Sequence, residues 1–201
     1  MNKLFEIKYS IFENHKEEFK NMTLEEFEKD YNDIYGMFTL IFDGNKFIAY
    51  LDNEEEFSLE TRSVFSELIP SYFDALIYII KNLDNFPCLF LKYIENSTTW
   101  LRLDIKETEI IASEIEIEWN NEMNTGFSNS VSKRVELFEK INEKSWGDIS
   151  ISKNLFKEEV IKKLYSFIQE INDVNPSLLR SRVFSKHIEF LQDNGIEIIS
   201  A

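Results

Sequence analysis

The chain has 201 residues, 43% of them hydrophobic, and carries 37 acidic against 22 basic side chains for a formal charge of -15. That much apolar mass excludes wholesale disorder, while an acid excess of this size repels nucleic acid and anionic membrane and attracts basic partners. Its single cysteine, Cys88, excludes an intramolecular disulfide, and the longest apolar stretch, residues 75–80, is too short to span a bilayer.

The acid is unevenly placed. Residues 146–201 hold 7 basic and 8 acidic side chains, whereas residues 1–145 hold 15 and 29. Length predicts one domain over residues 1–201, with a weak boundary at 120–130. An acid at Glu6, where a signal peptide would run apolar, and the lack of disulfides predict a cytoplasmic protein.

In chain order, residues 3–9 alternate and predict a first strand. Thr23-Leu24-Glu25-Glu26 spells a capping box, opening a short helix to Tyr31 with Leu24, Phe27 and Tyr31 on one face. Residues 37–42 and 47–51 flank Asp43-Gly44-Asn45, a turn that needs positive φ, and so predict a β-hairpin. Asp52, Glu54, Glu55, Glu56 and Glu60 follow as a charged loop without calcium-loop spacing. Pro70 closes what precedes it, and Ser71 is placed to cap a helix over 72–83 that is apolar nearly all round, hence buried.

Residues 88–94, 100–105 and 109–119 read as strands, with turns at 96–98 and 106–107. Leu101, Leu103 and Ile105 face one way, Arg102 and Asp104 the other. Residues 120–130 read as a loop, and 131–145 suit a helix or a strand equally. Phe156, Val160, Leu164, Phe167, Ile168 and Ile171 form a helical stripe. Asn175-Pro176 then starts a second helix with Leu179, Val183, Phe184, Ile188 and Leu191 as its apolar positions, and Gly195 ends it in the left-handed conformation. The pattern is α+β: a mostly antiparallel sheet packed by helices, including a C-terminal antiparallel helical hairpin.

The five glycines, Gly36, Gly44, Gly126, Gly147 and Gly195, are too scattered to build a phosphate loop or a dinucleotide fingerprint. The two histidines, His15 and His187, have no zinc spacing to each other or to Cys88, and no nucleophile elbow is present. No cofactor, metal or catalytic group is therefore predicted. His187 is expected at the edge of the core, His15 in solvent, and Cys88 as a small core residue.

The carboxylates and tryptophans remain. Glu114, Glu116 and Glu118 alternate with Ile115, Ile117 and Trp119, so a strand puts the acids on one face. The simplest account is a sheet with one wet face. Like charges along a strand repel, however, which points beyond solubility to a basic partner. Trp146, between Lys144-Ser145 and Gly147-Asp148, reads as a part-exposed turn residue of the kind that anchors interfaces. The expected partner-binding residues are Glu114, Glu116, Glu118, Glu54, Glu55, Glu56 and Trp146. Two other readings use the same acids: a carboxylate-based hydrolase, with or without a divalent metal, and nucleic-acid mimicry.

Within residues 149–171, Ser152 and the run Phe156-Lys157-Glu158-Glu159-Val160, followed by Phe167, read as a strand leading into an F-x-E-E-V helix. This stretch resembles segments found in immunity proteins of bacterial polymorphic toxin systems. The resemblance carries no site residues across. It implies an acidic cytoplasmic α+β protein that binds and blocks one cognate toxin.

Overall fold

The computed structural model describes residues 5–31, 33–51, 57–94, 96–117, 130–133 and 141–198, the side chains of 59, 97 and 141–144 excepted. The elements in order are β1 (Phe5–Ile11), α1 (Glu13–Phe19), α2 (Leu24–Glu26) running into a π turn (Phe27–Tyr31), β2 (Tyr35–Phe42), β3 (Asn45–Lys46), α3 (Leu59–Ser63), β4 (Glu67–Leu68) and α4 (Ile69–Asn82). Next come β5 (Cys88–Tyr93), β6 (Asn96–Ile105), β7 (Glu109–Ile117), β8 (Val131–Ser132), β9 (Ile141–Ser152), α5 (Lys153–Val174), a 3-10 segment (Pro176–Arg180) and α6 (Arg182–Asp193). The packing resolves two compact units that interleave in sequence. One comprises Met1–Ile7, Thr39–Ala49 and Tyr78–Glu159; the other comprises Lys8–Phe38, Tyr50–Ile77 and Val160–Ala201.

The first unit is built on a five-stranded antiparallel sheet in the order β8-β5-β6-β7-β9. Cross-strand partners share a face, and the register sets Leu91 and Glu114 opposite Leu101, and Leu89 and Ala112 opposite Leu103. Those leucines, with Ile110, Ile149 and Ile151, form one buried layer. Phe5, Phe42 and Phe156 belong to the same unit, with the Phe5 ring 4.9 Å from each of the other two, stacked on Phe156 and tilted against Phe42. On the opposite face Cys88, Phe90, Trp100, Ile115 and Ile117 form a second buried cluster. Both faces bury apolar side chains, which departs from the expected sheet with one wet face.

The hairpin forms with Asp43 (φ 49) and Gly44 (φ 86) as its positive-φ pair and Phe42 opposite Asn45. Its second arm is shorter than expected: only Asn45–Lys46 is strand. Two bonds prolong the pairing, from Phe47 N–H to the Leu40 carbonyl at 2.9 Å and from the Thr39 hydroxyl to the Ile48 carbonyl at 2.7 Å. The expected turn at 96–98 lies inside β6; the Asn96 carboxamide accepts the Thr98 N–H at 3.0 Å, a turn-type bond made within a strand. Among the described residues of 131–145, Val131–Ser132 (β8) and 141–145 (the start of β9) are strand and none is helical. Of the loop expected at 120–130, only Ser130 lies among the described residues.

In the second unit, the capping box at Thr23 forms with both reciprocal bonds to Glu26. Phe38 stacks on Tyr72 at 4.8 Å, Phe73 on Phe167 at 5.4 Å and Phe27 on Phe184 at 6.2 Å, so the core of this unit is largely aromatic. α4 begins at Ile69, earlier than expected. Pro70 sits in its first turn, where a missing N–H leaves no broken bond. The Ser71 hydroxyl bonds Asp33 at 3.2 Å instead of capping the helix.

Every residue of the stripe from Phe156 to Ile171 is buried. The second C-terminal helix is not continuous from 176. A 3-10 segment capped by Asn175 stops at Ser181, whose extended backbone (ψ 147) breaks it and caps α6. Glu28 explains the break: its Oε1 accepts from the Ser181 hydroxyl at 3.2 Å and the Arg182 N–H at 3.3 Å. Gly195 closes α6 at φ 77, as expected. α5 and α6 form the C-terminal antiparallel hairpin, with Phe167 and Phe184 6.2 Å apart.

Candidate functional site

Of the expected binding residues, the structure brings together Glu114, Glu116 and Trp146; Glu54, Glu55, Glu56 and Glu118 lie outside the described residues, as does Trp119. Glu116 is exposed, Glu114 is half-buried, and Ile115 and Ile117 are buried between and beyond them, so the alternation holds. The face is the unexpected part. Glu114 stands opposite Leu101, so the acidic row continues the interior layer outward instead of lining a separate wet face.

Trp146 is a strand residue, not a turn residue. β9 runs through it, and it stands opposite Glu114. The Gly-Asp pair that resembled a turn is a β-bulge: Gly147 and Asp148 together oppose Ser113, Asp148 takes φ 56, and its N–H donates to the Ser113 hydroxyl at 3.2 Å. Trp146 is half-buried, its ring 5.6 Å from Phe42 and its indole nitrogen withdrawn from solvent. Glu114 therefore sits in a partly dry setting. Burial pushes its carboxyl above the ordinary value, the side chains of Ser145 and Trp146 pull it back, and the Glu116 charge adds to the rise.

Cys88 is buried, as expected. It stands opposite Asp104, which Arg102 grips through two bonds of 2.9 Å. Burial, then the Asp104 charge, push the thiol up to about 12. At pH 8 the folded chain is expected to resist iodoacetamide and to react only after unfolding. Stoichiometric labelling of the native protein would contradict this environment.

The second unit holds a charged cluster that the sequence did not reveal. His187 is fully buried, deeper than the core edge expected for it, and its Nε2 lies 3.1 Å from Asp74 Oδ1. The alignment is poor: among the described residues neither atom has a well-formed hydrogen bond, nor does His187 Nδ1. Lys186 approaches Asp74 from the surface at 3.5 Å. Burial raises Asp74, but His187 and Lys186 outweigh it and hold the carboxyl below its ordinary value. Asp33 goes the other way: burial lifts it from 3.8 to about 6, although the Ile34 N–H and the Ser71 hydroxyl both donate to it. Asp33, Asp74 and His187 are far apart in sequence, and no local pattern marks them. His15, expected in solvent, is instead half-buried against Phe12, Phe19 and Tyr35.

Among the described residues, no group of three or more His, Cys, Asp or Glu side chains is disposed to hold a metal ion, and no helix is long and apolar enough to cross a membrane. The chain is an α+β protein with two antiparallel sheets packed by helices. Comparison with protein-family models, curated proteins and solved structures finds no match.

Proposed function

We propose that this chain is a non-enzymatic cytoplasmic binding protein that captures a basic protein partner, as an immunity-type inhibitor captures its toxin. The observation that carries the reading is the row Glu116–Glu114–Trp146: an exposed carboxylate, a half-desolvated one and a half-buried indole at neighbouring register positions. A carboxylate already stripped of part of its water pays less to meet a lysine or arginine, and the indole supplies apolar contact beside it. The net charge of -15 would steer a cationic partner toward the chain.

The test is capture of basic proteins from lysate at low salt, followed by affinity measurement on the purified partner. Affinity should fall steeply between about 50 and 500 mM salt, and Glu114→Gln/Glu116→Gln should weaken it by at least about tenfold. Salt-indifferent binding, or full affinity in the double variant, would sink the reading. The split between Asp33 and Asp74 favours a second reading, a carboxylate-based hydrolase, because acid–base pairs are built from groups pushed apart in this way. That reading requires a turnover that Asp33→Asn abolishes while the fold is kept. The third, nucleic-acid mimicry, requires DNA to compete with the chain for its partner.

A further inference from the structure

The 3-10 segment, α6 and the chain after Gly195 enclose a cleft of about 450 Å3 in the second unit, a size that suits a small molecule. Three stretches of sequence build its walls. Pro176 and Leu179 stand three apart in the 3-10 segment, a spacing that stacks side chains on one side. Ile188 and Gln192 stand four apart in α6 and share a face. Gly195 turns the chain at φ 77, the Ile196 N–H returns to the Leu191 carbonyl at 3.0 Å, and Ile198 joins the wall. The 3-10 segment is held at both ends. The Asn175 carboxamide donates to the Phe19 and Met22 carbonyls at 2.8 and 2.9 Å, and Glu28 accepts from the Ser181 hydroxyl at 3.2 Å. The cleft is therefore formed before anything enters it, which lowers the cost of binding.

Its walls are mainly apolar, yet Ile188 and Ile198 stay only half-buried in them. Arg180 lines the same cleft and is exposed. Among the described residues no carboxylate pairs with its guanidinium and no group hydrogen-bonds it. The acids of the neighbouring elements, Glu189 and Asp193 of α6 and Glu197 beside Ile198, are themselves exposed and leave it alone. Arg102 in the first unit shows the usual outcome in so acidic a chain, gripping Asp104 through two bonds of 2.9 Å. Arg180 thus presents a planar fork of donors to an apolar cleft with no anion of the chain's own upon it.

We propose that this cleft binds a small monocarboxylate with an apolar body. The body lies against Pro176, Leu179, Ile188 and Ile198, the carboxylate on the Arg180 guanidinium, and the Gln192 carboxamide is a further donor. One cation matches one negative charge, and a guanidinium holds a planar carboxylate through parallel bonds. An inorganic anion gains nothing from apolar walls, and the net charge of -15 repels it. The apolar body supplies the remaining affinity by taking Ile188 and Ile198 out of water.

The experiment is an amide-resolved NMR titration of the full chain with octanoate at neutral pH and constant ionic strength. It is repeated with octylamine, which has the same kind of tail and the opposite charge, and with acetate, which has the head alone. Saturable shifts over residues 177–180 and 188–198 are expected with octanoate, with a Kd of about 1 mM. Acetate should not saturate, and octylamine should bind at least about tenfold more weakly, although the net charge attracts it. Arg180→Gln should weaken octanoate by about tenfold and erase its advantage over octylamine. Ile198→Asn should weaken both, in spectra that otherwise match the parent. No saturation by about 20 mM octanoate, shifts centred outside the cleft, or unchanged octanoate affinity in Arg180→Gln would overturn the proposal. So would binding that appears only after residues 199–201 are removed, because the chain itself would then be the occupant.

Discussion

Replacing Gly36 with alanine is expected to destabilise the protein by at least about 3 kcal/mol, beyond the usual cost of overpacking a core. A Cβ on Gly36 would stand 2.1 Å from the Ser10 carbonyl oxygen, 2.8 Å from Ile69 Cδ1 and 3.0 Å from Ile11 Cα. Two of those three atoms are backbone and cannot rotate away. The site lies where β2 passes β1 and meets β4, Gly36 standing opposite Glu67, so relief requires prising strands apart. For a chain of this size the midpoint of thermal unfolding should drop by roughly 6–12 °C. Gly44→Ala is the contrast: its Cβ would meet nothing within 4 Å, and only the positive φ of 86 resists it. That variant should cost about 1 kcal/mol. Equal urea midpoints for the two variants would refute the close approach at Gly36.

Asp33→Asn should stabilise the protein at neutral pH, and the gain should vanish in acid. The folded chain raises Asp33 from 3.8 to about 6, chiefly by burial. The folded state thus holds this proton more tightly than the unfolded chain does. The favourable contribution is complete below about pH 3.8 and is lost as pH rises through about 6. A shift of that size corresponds to up to about 3 kcal/mol at pH 7.5. Asparagine keeps one oxygen to accept from the Ile34 N–H, turns its amide N–H toward the Ser71 hydroxyl, which then accepts, and carries no charge to desolvate. Urea denaturation of both proteins from pH 4 to 7.5 should show a stability gap near zero in acid, opening to about 3 kcal/mol in favour of asparagine at pH 7.5. Parallel curves would mean that Asp33 titrates as an ordinary carboxyl. Asp74→Ala should act in the opposite sense, because it strips the buried His187 of its neighbouring carboxylate.

Much of the fold was legible because its signals are local. The capping box at Thr23, the positive-φ turn at Asp43-Gly44, the stripe from Phe156 to Ile171 and the stop at Gly195 each depend on residues within a few positions of one another. The misreadings arise where a distant partner overrides the local pattern. Glu28 splits the 176–193 helix at Ser181 from across the unit, and β7 draws Lys144-Ser145-Trp146-Gly147-Asp148 into a bulged strand despite its turn-like composition. The candidate site was legible in part. Alternation placed Glu114 and Glu116 together, but period two shows which residues share a face and not what that face packs against.

By itself the sequence determined the α+β class, the acid excess and its concentration in residues 1–145, and the alternation that lines up Glu114 and Glu116. These follow from composition and short-range periodicity, which no packing arrangement can change. The tertiary structure alone decided that both faces of the five-stranded sheet carry buried apolar side chains, that Glu114 borders the core, and that His187 and Asp74 meet beside Asp33. Each of these is a desolvation or a charge pairing between residues far apart in the chain, and such energies exist only once the backbone has brought the groups within a few ångströms.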